Sequence, residues 1–386
     1  MTRSTTPSQF GYRWPAEWER HRATWLSWPH NIETWPDALP AVRATFAQFV
    51  RALAPHEAVE IGVADDAMEE IARKAIRAAG ADPERNVRFH RYPTNDAWCR
   101  DHGPIFVVKQ DGSRATASGA AGDARSPQGA EGAAQRATGE RSSSAGQASK
   151  VAIVDFRFDN WGKKYPGWKR DDAVPRHVEK ILGLPRFACD MVLEGGGIDG
   201  DGLGSVLTTE SCLLNPNRGA GRTRDAMERV LAEFLGARQV IWLGDGIEGD
   251  DTDGHVDDIA RFVAVGVVVA ASCDDDSDPN FAPLAENLRR LASARDARGR
   301  ALTVVPLPMP PRIELAGQRS PASHANFYLA NDVALVPVFG GASDARALAI
   351  LREVLPGREI VGIGCTELVS GFGAIHCVTQ QEPAGI

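Results

Sequence analysis

The stretch ANFYLANDVALVPVFGGASDARALAILREVLPGREIVGIG, residues 325–364, contains one complete folding unit. Its apolar runs predict strands at 326–329 and 333–338. Apolar residues at helical spacing predict a helix at 344–354, and a further strand follows at 359–363. A strand pair followed by a helix and another strand is typical of a mixed α/β protein.

The same order returns along the rest of the chain at intervals of roughly 60–80 residues, which indicates weak internal repetition. A doubly wound sheet is the alternative, but no G-x-G-x-x-G follows a strand and opens a helix. The predicted class is therefore α/β. Further helices are predicted at 39–54, 66–79, 172–182, 223–235 and 281–294. Further strands are predicted at 58–63, 86–92, 104–108, 151–156, 239–243, 301–306 and 375–379, with strand pairs at 205–214 and 259–271.

Composition narrows the choice of partners. The chain has 386 residues, of which 43% are hydrophobic, and a formal net charge of −8. That charge argues against nucleic acid or an anionic membrane as a partner and is compatible with a small cationic substrate. The longest apolar run, 262–273, is too short to cross a bilayer. The first residues carry no apolar signal segment and the six cysteines form no CxxC pair, so we expect a cytoplasmic protein with reduced thiols.

Residues 111–150 differ from the rest, because they contain no Val, Leu, Ile, Met or aromatic residue. Such a segment cannot bury enough apolar surface to offset its ordering entropy, so we predict disorder. Because predicted strands flank it, we interpret it as an insertion in a hairpin within one domain spanning 1–386. A linker between two domains is the alternative.

The first of four polar clusters is NDAWCRDHGP, residues 95–104. Its carboxylates Asp96 and Asp101 stand close to Trp98, and carboxylates beside an aromatic ring form a natural site for a planar cation. A turn held by Asp–Arg ion pairs is the alternative.

The second cluster is LEGGGIDGDGLGSVLTTE, residues 193–210, in which three glycines follow Glu194. Asp199, Asp201 and Glu210 occupy positions 1, 3 and 12 of a calcium-loop template. No helix leads into this stretch and the fifth position is a leucine, so the EF-hand match fails. A turn with solvated aspartates is the favoured interpretation.

The third cluster is GDDTDGHVDDIARF, residues 249–262, in which His255 and Asp257 are two residues apart. At the start of a strand both side chains would point to one face. A histidine beside a carboxylate can serve as a general acid and base. A divalent metal site and a solvated acidic loop are the alternatives.

The fourth cluster is GFGAIHCVTQQEP, residues 371–383, which contains Cys377. In an extended segment the adjacent His376 would point away from the cysteine, so His255 is the better candidate for its acid–base partner. A metal site at Cys377 would need further ligands at suitable spacing, and the sequence shows none.

These clusters, in this order, resemble the agmatine deiminase family, which includes the bacterial-type peptidylarginine deiminases of the guanidino-group-modifying (pentein) superfamily. The resemblance covers nearly the whole chain outside 111–150. It is carried by RWPAEWERHRATWLSWP, NDAWCRDHGP, LEGGGID, TTESCLLNPNRG, DDTDGHVDD, ANFYLAN and GAIHCVTQQ.

The resemblance implies a five-bladed propeller of ββαβ units with the site in its central channel. It implies a deiminase that needs no metal or organic cofactor, with agmatine as the first choice of substrate. Arginine, peptidylarginine and a catalytically silent binding module are the alternatives, and a homo-oligomer stays open. The implied catalytic residues are Cys377 as nucleophile, His255 as general acid and base, Asp101, Asp257 and Glu194. The candidate substrate-binding residues are Trp98, Asn326, Asp96 and Gly373.

Four positions depart from the common family pattern, namely Gly197, His324, Phe372 and Ala374. None removes a catalytic group. We expect all four to lie near the pocket and to bear on the choice of substrate. We also expect the carboxylates around Cys377 to raise the pKa of its thiol until a cationic substrate offsets their field.

Overall fold

The computed structural model describes residues 5–109, 149–315 and 317–385. Its strands form five main sheets and one short hairpin. The predicted insertion at 111–150 lies outside the described residues except for positions 149 and 150. Among the described helices, none is both long enough and apolar enough to span a bilayer.

Each main sheet contains an antiparallel strand pair followed by a helix and a parallel strand. This order agrees with the predicted repeat and is compatible with five blades. The strands, sheet by sheet, are β2 (His21–Ser27), β3 (Ala58–Val63), β4 (Val87–Arg91) and β19 (Gln380–Pro383); β1 (Tyr12–Arg13), β5 (Ile105–Lys109), β6 (Val151–Arg157) and β7 (Arg186–Val192); β8 (Ile198–Gly200), β9 (Ser205–Thr209) and β10 (Gln239–Leu243); β11 (Ala260–Ala264), β12 (Val267–Ser272) and β13 (Thr303–Pro308); and β16 (Tyr328–Ala330), β17 (Val333–Val338) and β18 (Glu359–Gly364). The hairpin consists of β14 (Glu314–Leu315) and β15 (Gln318–Arg319).

The helices that join the parallel strands were mostly predicted to within one or two residues, because each carries apolar residues at helical spacing. The helices are α1 (Leu39–Leu53), α2 (Asp66–Ala78), α3 (Cys99–His102), α4 (Asn160–Lys163), α5 (Val174–Leu182), α6 (Glu210–Leu213), α7 (Arg224–Leu235), α8 (Phe281–Ser293) and α9 (Ala342–Val354).

The apolar face of α1 packs against both the first and the last sheet. Val42, Phe46 and Val50 are fully buried, and they belong to one apolar cluster with Val59 of β3 and Leu335 of β17. Helix α1 therefore joins the first and last sheets. Strand β19 pairs with β2, with Gln380 opposite Trp25, so the end of the chain completes the first sheet.

Two strand predictions at turns were wrong. The predicted strand pair at 205–214 ends at Thr209, whose hydroxyl accepts the N–H of Cys212 and starts α6. The predicted strand at 375–379 is a 3-10 turn, His376–Val378, held by the Thr379 hydroxyl that donates to the Ile375 carbonyl over 3.0 Å. His255 and Asp257 do not stand at the start of a strand, because a 3-10 turn, Val256–Asp258, lies there; β11 begins at Ala260, within the predicted strand pair at 259–271.

The aspartates of the second cluster are buried, contrary to prediction. Asp199 accepts Nε of Arg261 over 2.6 Å and the Phe262 N–H over 2.7 Å, which ties β8 to β11. Asp201 accepts the backbone N–H groups of Leu203 and Ser205 and so shapes the β8–β9 turn. Both carboxylates therefore form hydrogen bonds within the protein and have a structural role.

Candidate active site

Each of the five units contributes a candidate residue from the segment just before the first strand of its sheet. Because these strands occupy equivalent positions in the repeat, residues from all parts of the chain meet at one place. Asp101 precedes β5, Glu194 precedes β8, Asp257 precedes β11, Asn326 precedes β16 and Cys377 precedes β19.

Gly196 marks the point where three of the predicted groups converge. A Cβ atom at this position would lie 2.5 Å from Nδ1 of His255, 2.9 Å from Oδ1 of Asp101 and 3.0 Å from Oδ2 of Asp257. The Gly196 N–H also donates to Asp101 over 3.0 Å. Only glycine leaves room for this arrangement, which explains the middle glycine of the three that follow Glu194.

His255 lies between two carboxylates and is fully buried. Its Nδ1 is 3.7 Å from Asp101 and its Nε2 is 3.9 Å from Glu194. The other oxygen of Glu194 accepts Nε of Arg218 over 3.0 Å. Burial opposes ionisation of Glu194, but the Arg218 charge and the His255 contact outweigh it and lower the pKa of Glu194 to about 2. Burial also opposes protonation of His255, yet Asp101 and its other neighbours raise the pKa of His255 well above its usual value.

Cys377 contacts two of the predicted residues. Its Sγ lies 3.7 Å from Oδ2 of Asp257, and Nδ2 of Asn326 donates to it over 3.2 Å. Asn326 also donates to Asp258 over 3.0 Å and accepts the His376 N–H over 2.9 Å. The amide of Asn326 therefore fixes the position of the turn that carries the thiol.

The prediction that His376 points away from Cys377 assumed an extended segment, but the segment is a 3-10 turn and His376 contacts a predicted site residue. Its Nδ1 is 2.7 Å from the same Asp257 oxygen that Cys377 approaches, because the turn is 3-10 and adjacent side chains are not opposed as they are in a strand. Its Nε2 is 2.8 Å from Glu17, which also pairs with Arg261 over 2.9 Å. His376 thus links the site to a buried ionic network.

The pKa of the Cys377 thiol is shifted in the predicted direction. Burial is the largest cause and Asp257, Asp258 and Asp101 add to it, so the pKa of the Cys377 thiol is well above its ordinary value. Burial also raises the pKa of Asp101 to about 6, against the lowering effect of His255. An incoming cation would favour the ionised forms of both groups.

A cavity of about 320 Å³ opens onto Cys377 and Asp101. Trp98 and Trp161 form its aromatic walls, and Nε1 of Trp161 donates to Asp101 over 3.0 Å. Gly373 permits the close approach of Trp98, since a Cβ there would lie 2.5 Å from the indole ring and 3.2 Å from Sγ of Cys377.

The outer part of the cavity is acidic. Four carboxylate side chains line it, and among the described residues none of those lining it is a lysine or an arginine. Asp96 was predicted as a substrate-binding residue, and it does line the wall, where it accepts hydrogen bonds from Asn31 and Thr34. The four carboxylates are Glu33, Asp96, Asp171 and Asp251.

The positions that depart from the family pattern fall in different places. Phe372 lines the cavity with a left-handed backbone, φ 71°. Gly197 packs against Cys212 and His255. Ala374 is buried beside the Cys377 turn. The expectation for His324 was wrong, because its ring lies in the core against the Pro337 carbonyl, over 2.9 Å, and does not line the cavity.

Sequence reasoning missed several groups that shape the site. Glu17 stands in the quoted stretch RWPAEWERH, but nothing in its spacing marks it as a partner of a residue 359 positions away. Nothing in the local spacing of the other missed residues marks them, and they are brought to the site only by the fold. They are Trp161, Asp171, Arg218 and Asp258.

Two groups of side chains could also hold a metal ion, since their ligand atoms lie within 4.8 Å of one another. Both overlap the residues just described, and their members come from distant parts of the sequence. Activity in excess chelator tests the prediction that the reaction needs no metal. The groups are Glu194, Cys212 and His255, and Asp257, Asp258 and Cys377.

The repeated strand and helix units define an α/β protein. Its candidate site is centred on a buried cysteine thiol that lies among carboxylates and a histidine. The agmatine deiminase of Stutzerimonas stutzeri is 36% identical over 411 residues, covering 99% of this chain and 98% of that protein. The agmatine deiminase of Medicago truncatula is 34% identical over 409 residues and both chains are covered completely, at 100%. The solved structure of the agmatine deiminase of Enterococcus faecalis has a TM-score of 0.84 at 30% identity, covering 100% of this chain and 99% of that one.

The model of the Porphyromonas-type peptidyl-arginine deiminase family matches residues 13–383, and the chain belongs to this family. The resemblance drawn from the sequence motifs is confirmed, and so is the pentein fold.

Proposed function

We propose that this protein is an agmatine deiminase, which hydrolyses the guanidinium group of agmatine to N-carbamoylputrescine and ammonia. The observation that carries the proposal is the convergence of Asp101, Asp257 and His255 at Gly196, beside the thiol of Cys377. The names of the relatives support the same reaction.

Asp101 and Asp257 hold the guanidinium in this proposal. A guanidinium is planar and carries N–H donors on every side, which suits carboxylates placed around one point. Oδ1 of Asp257 is buried and has no hydrogen-bond partner among the described residues, so it is free to accept one of these donors. Oε2 of Glu194 is also buried and has no hydrogen-bond partner among the described residues.

Cys377 acts as the nucleophile. The bound cation offsets the carboxylate field, the thiol releases its proton to solvent, and the thiolate attacks the central guanidinium carbon to give a tetrahedral adduct. His255 is protonated and donates a proton to the departing nitrogen, which leaves as ammonia. A water molecule then attacks the thiouronium carbon and gives one proton to His255. The carbon–sulfur bond breaks, the remaining hydroxyl proton passes to solvent, and the ureido product and the thiolate are released.

Agmatine fits the outer cavity better than arginine or peptidylarginine does. Its far end is an ammonium group, which carboxylate walls attract. Free arginine would bring a carboxylate beside its ammonium group against Asp96 and Asp171, and none of the described lining residues is a lysine or arginine that could receive this carboxylate. Another guanidine and a silent binding module remain the alternatives that experiment must distinguish.

The test compares wild type with Cys377→Ser for ammonia release from agmatine, arginine and benzoyl-arginine amide. We expect wild type to favour agmatine and the variant to lose activity by about a thousandfold or more. Mass spectrometry on wild type should detect a covalent adduct. Cys273→Ser is the matched control, because this half-buried cysteine follows β12 and does not line the cavity.

Activity confined to arginine or benzoyl-arginine amide would overturn the choice of substrate. Unchanged ammonia release in Cys377→Ser would overturn the nucleophile. A cytoplasmic location and a homo-oligomer remain predictions from the sequence.

A further inference from the structure

The outer wall of the cavity carries four carboxylates, and they differ in how much of their bonding capacity is already used. Asp96 has both oxygens occupied. Its Oδ2 accepts the Thr34 hydroxyl and, over 3.0 Å, the Asn31 amide, while its Oδ1 accepts the Ala97 N–H over 2.7 Å. Asp96 is therefore part of the wall's own structure and has little capacity left for a ligand.

Asp251 and Glu33 are also poor candidates for holding a ligand. Asp251 accepts the hydroxyl of Tyr165, and Nζ of Lys164 lies 3.6 Å from its carboxylate, so its charge is already compensated. Glu33 is exposed to solvent, where water screens its charge.

Asp171 is different. It precedes α5, is 1% exposed and lines the cavity. Its Oδ1 accepts the Asn95 N–H over 2.6 Å and lies 3.4 Å from the Asp96 N–H. Its Oδ2 has no hydrogen-bond partner among the described residues, and no lysine or arginine forms an ion pair with it there. A buried carboxylate with one free oxygen at a cavity surface is a costly feature unless a ligand uses it.

We propose that Asp171 selects the substrate by its far end, and that its free oxygen accepts a hydrogen bond from a primary ammonium group. This inference rests on the proposed deiminase reaction and names the residue that recognises the end of the substrate opposite the guanidinium. The inner carboxylates hold the guanidinium, which every candidate substrate carries. Asp171 then distinguishes a substrate with a cationic tail from one with a neutral or anionic tail.

The electrostatics of Asp171 strengthen this role. Burial is the largest cause and the nearby Asp96 charge adds to it, so the pKa of Asp171 is raised to about 8 despite the Asn95 hydrogen bond and the Arg170 charge. The site therefore resists ionisation in the absence of a cation. A primary ammonium relieves this cost as it binds, whereas a neutral tail does not.

The experiment compares agmatine with butylguanidine, which has the same four-carbon chain and guanidinium but no amine. Asp171→Asn keeps the size of the side chain and the Oδ1 acceptor for the Asn95 N–H, and removes only the charge. We expect kcat/KM for agmatine to fall about tenfold or more, mainly through KM. We expect kcat/KM for butylguanidine to change less than about twofold. Asp190→Asn, at an exposed position on β7 that does not line the cavity, is the matched control and should leave the ratio of the two substrates within about twofold of wild type.

Binding measurements separate failure of this inference from failure of the proposed function. In the Cys377→Ser background, calorimetry gives the Kd values of agmatine and butylguanidine without turnover. A preference for agmatine that disappears in Asp171→Asn supports the assignment even if the nucleophile were wrong. An equal loss of affinity for both ligands, or an unchanged preference for agmatine, would overturn it.

Discussion

The inner and outer ends of the cavity are both acidic, yet they are built in different ways. At the inner end the carboxylates belong to a fixed ionic lattice: Glu194 pairs with Arg218, and Asp257 contacts His376, which in turn contacts Glu17. At the outer end the carboxylates come from loops, and one of them, Asp171, keeps a free oxygen. The inner carboxylates Glu194 and Asp257 are therefore each held by a basic side chain of the protein, whereas Asp171 at the outer end has no such partner among the described residues.

The lattice also explains how so many charges can be buried together. An isolated buried carboxylate is strongly disfavoured, whereas one held by cations and N–H donors can stay ionised. Arg261 pairs with both Glu17 and Asp199 and is itself fully buried. This network holds the turns at 256–258 and 376–378 in place, so changes at the inner end should be costly and changes at the outer end mild.

The largest effect is expected at Asp257. In the proposed mechanism the Asp257 charge holds the guanidinium, and its carboxylate contacts both His376 and Cys377, so Asp257→Asn should lower kcat/KM on agmatine about a thousandfold. Steady-state ammonia release measures it. Asp190→Asn, an exposed position on β7, is the control and should behave like wild type. A loss below tenfold would show that Asp257 is not part of the catalytic site.

A smaller but still large effect is expected from steric displacement at the inner end. Gly196→Ala places a methyl group 2.5 Å from Nδ1 of His255, so the ring must move and kcat should fall about a hundredfold. Gly364→Ala is the control, because a Cβ at that position meets nothing within 4 Å. If both variants kept wild-type kcat, the site would be more adaptable than the lattice implies.

The pH dependence of kcat/KM should report on Asp101, at the inner end of the cavity. In the proposed mechanism Asp101, with a pKa of about 6, binds the cation only when ionised, so its protonation should add a fall in kcat/KM of about tenfold per unit as the pH drops below 6, beyond any loss from protonation of Asp171. The folded state binds this proton more tightly than the unfolded chain does, so this group alone adds stability as the pH falls from 6 towards its unfolded value. Circular dichroism across the range checks that lost activity is not unfolding. A flat profile down to pH 5 would contradict the role of Asp101.

The smallest effect is expected at the outer end, at Phe372. Its left-handed backbone costs about 1 kcal/mol for a residue with a Cβ, and glycine avoids this cost but gains freedom in the unfolded chain. Phe372→Gly should therefore change the free energy of unfolding by less than about 1 kcal/mol and alter KM more than kcat. Phe372→Ala is the comparison, because it keeps the strain and loses the ring. Urea unfolding measures both, and a Phe372→Gly loss as large as the alanine loss would show that the strain is unimportant.

Much of the fold could be predicted from residue patterns. Strands β3, β10 and β17 have the predicted bounds, because a short apolar run between polar turns has few other uses. The failures came at short turns, such as the 3-10 turn His376–Val378 and the single helical turn α6 after Thr209, where local hydrogen bonds replace the expected strand. The turn at 376–378 carries Cys377, which was identified as a candidate, while the contact of its neighbour His376 with Asp257 was missed.

The sequence by itself determined the alternation of strands and helices and the chemical groups available, since both depend on short-range spacing and on side-chain type. The tertiary structure alone decided that Asp101 and Cys377, 276 positions apart, line one cavity, and that Glu17 supports the site through His376. It also decided which outer carboxylate stays free. The physical reason is that the field at a buried group depends on every charge packed around it, and packing between distant segments is not encoded in the spacing of any one of them.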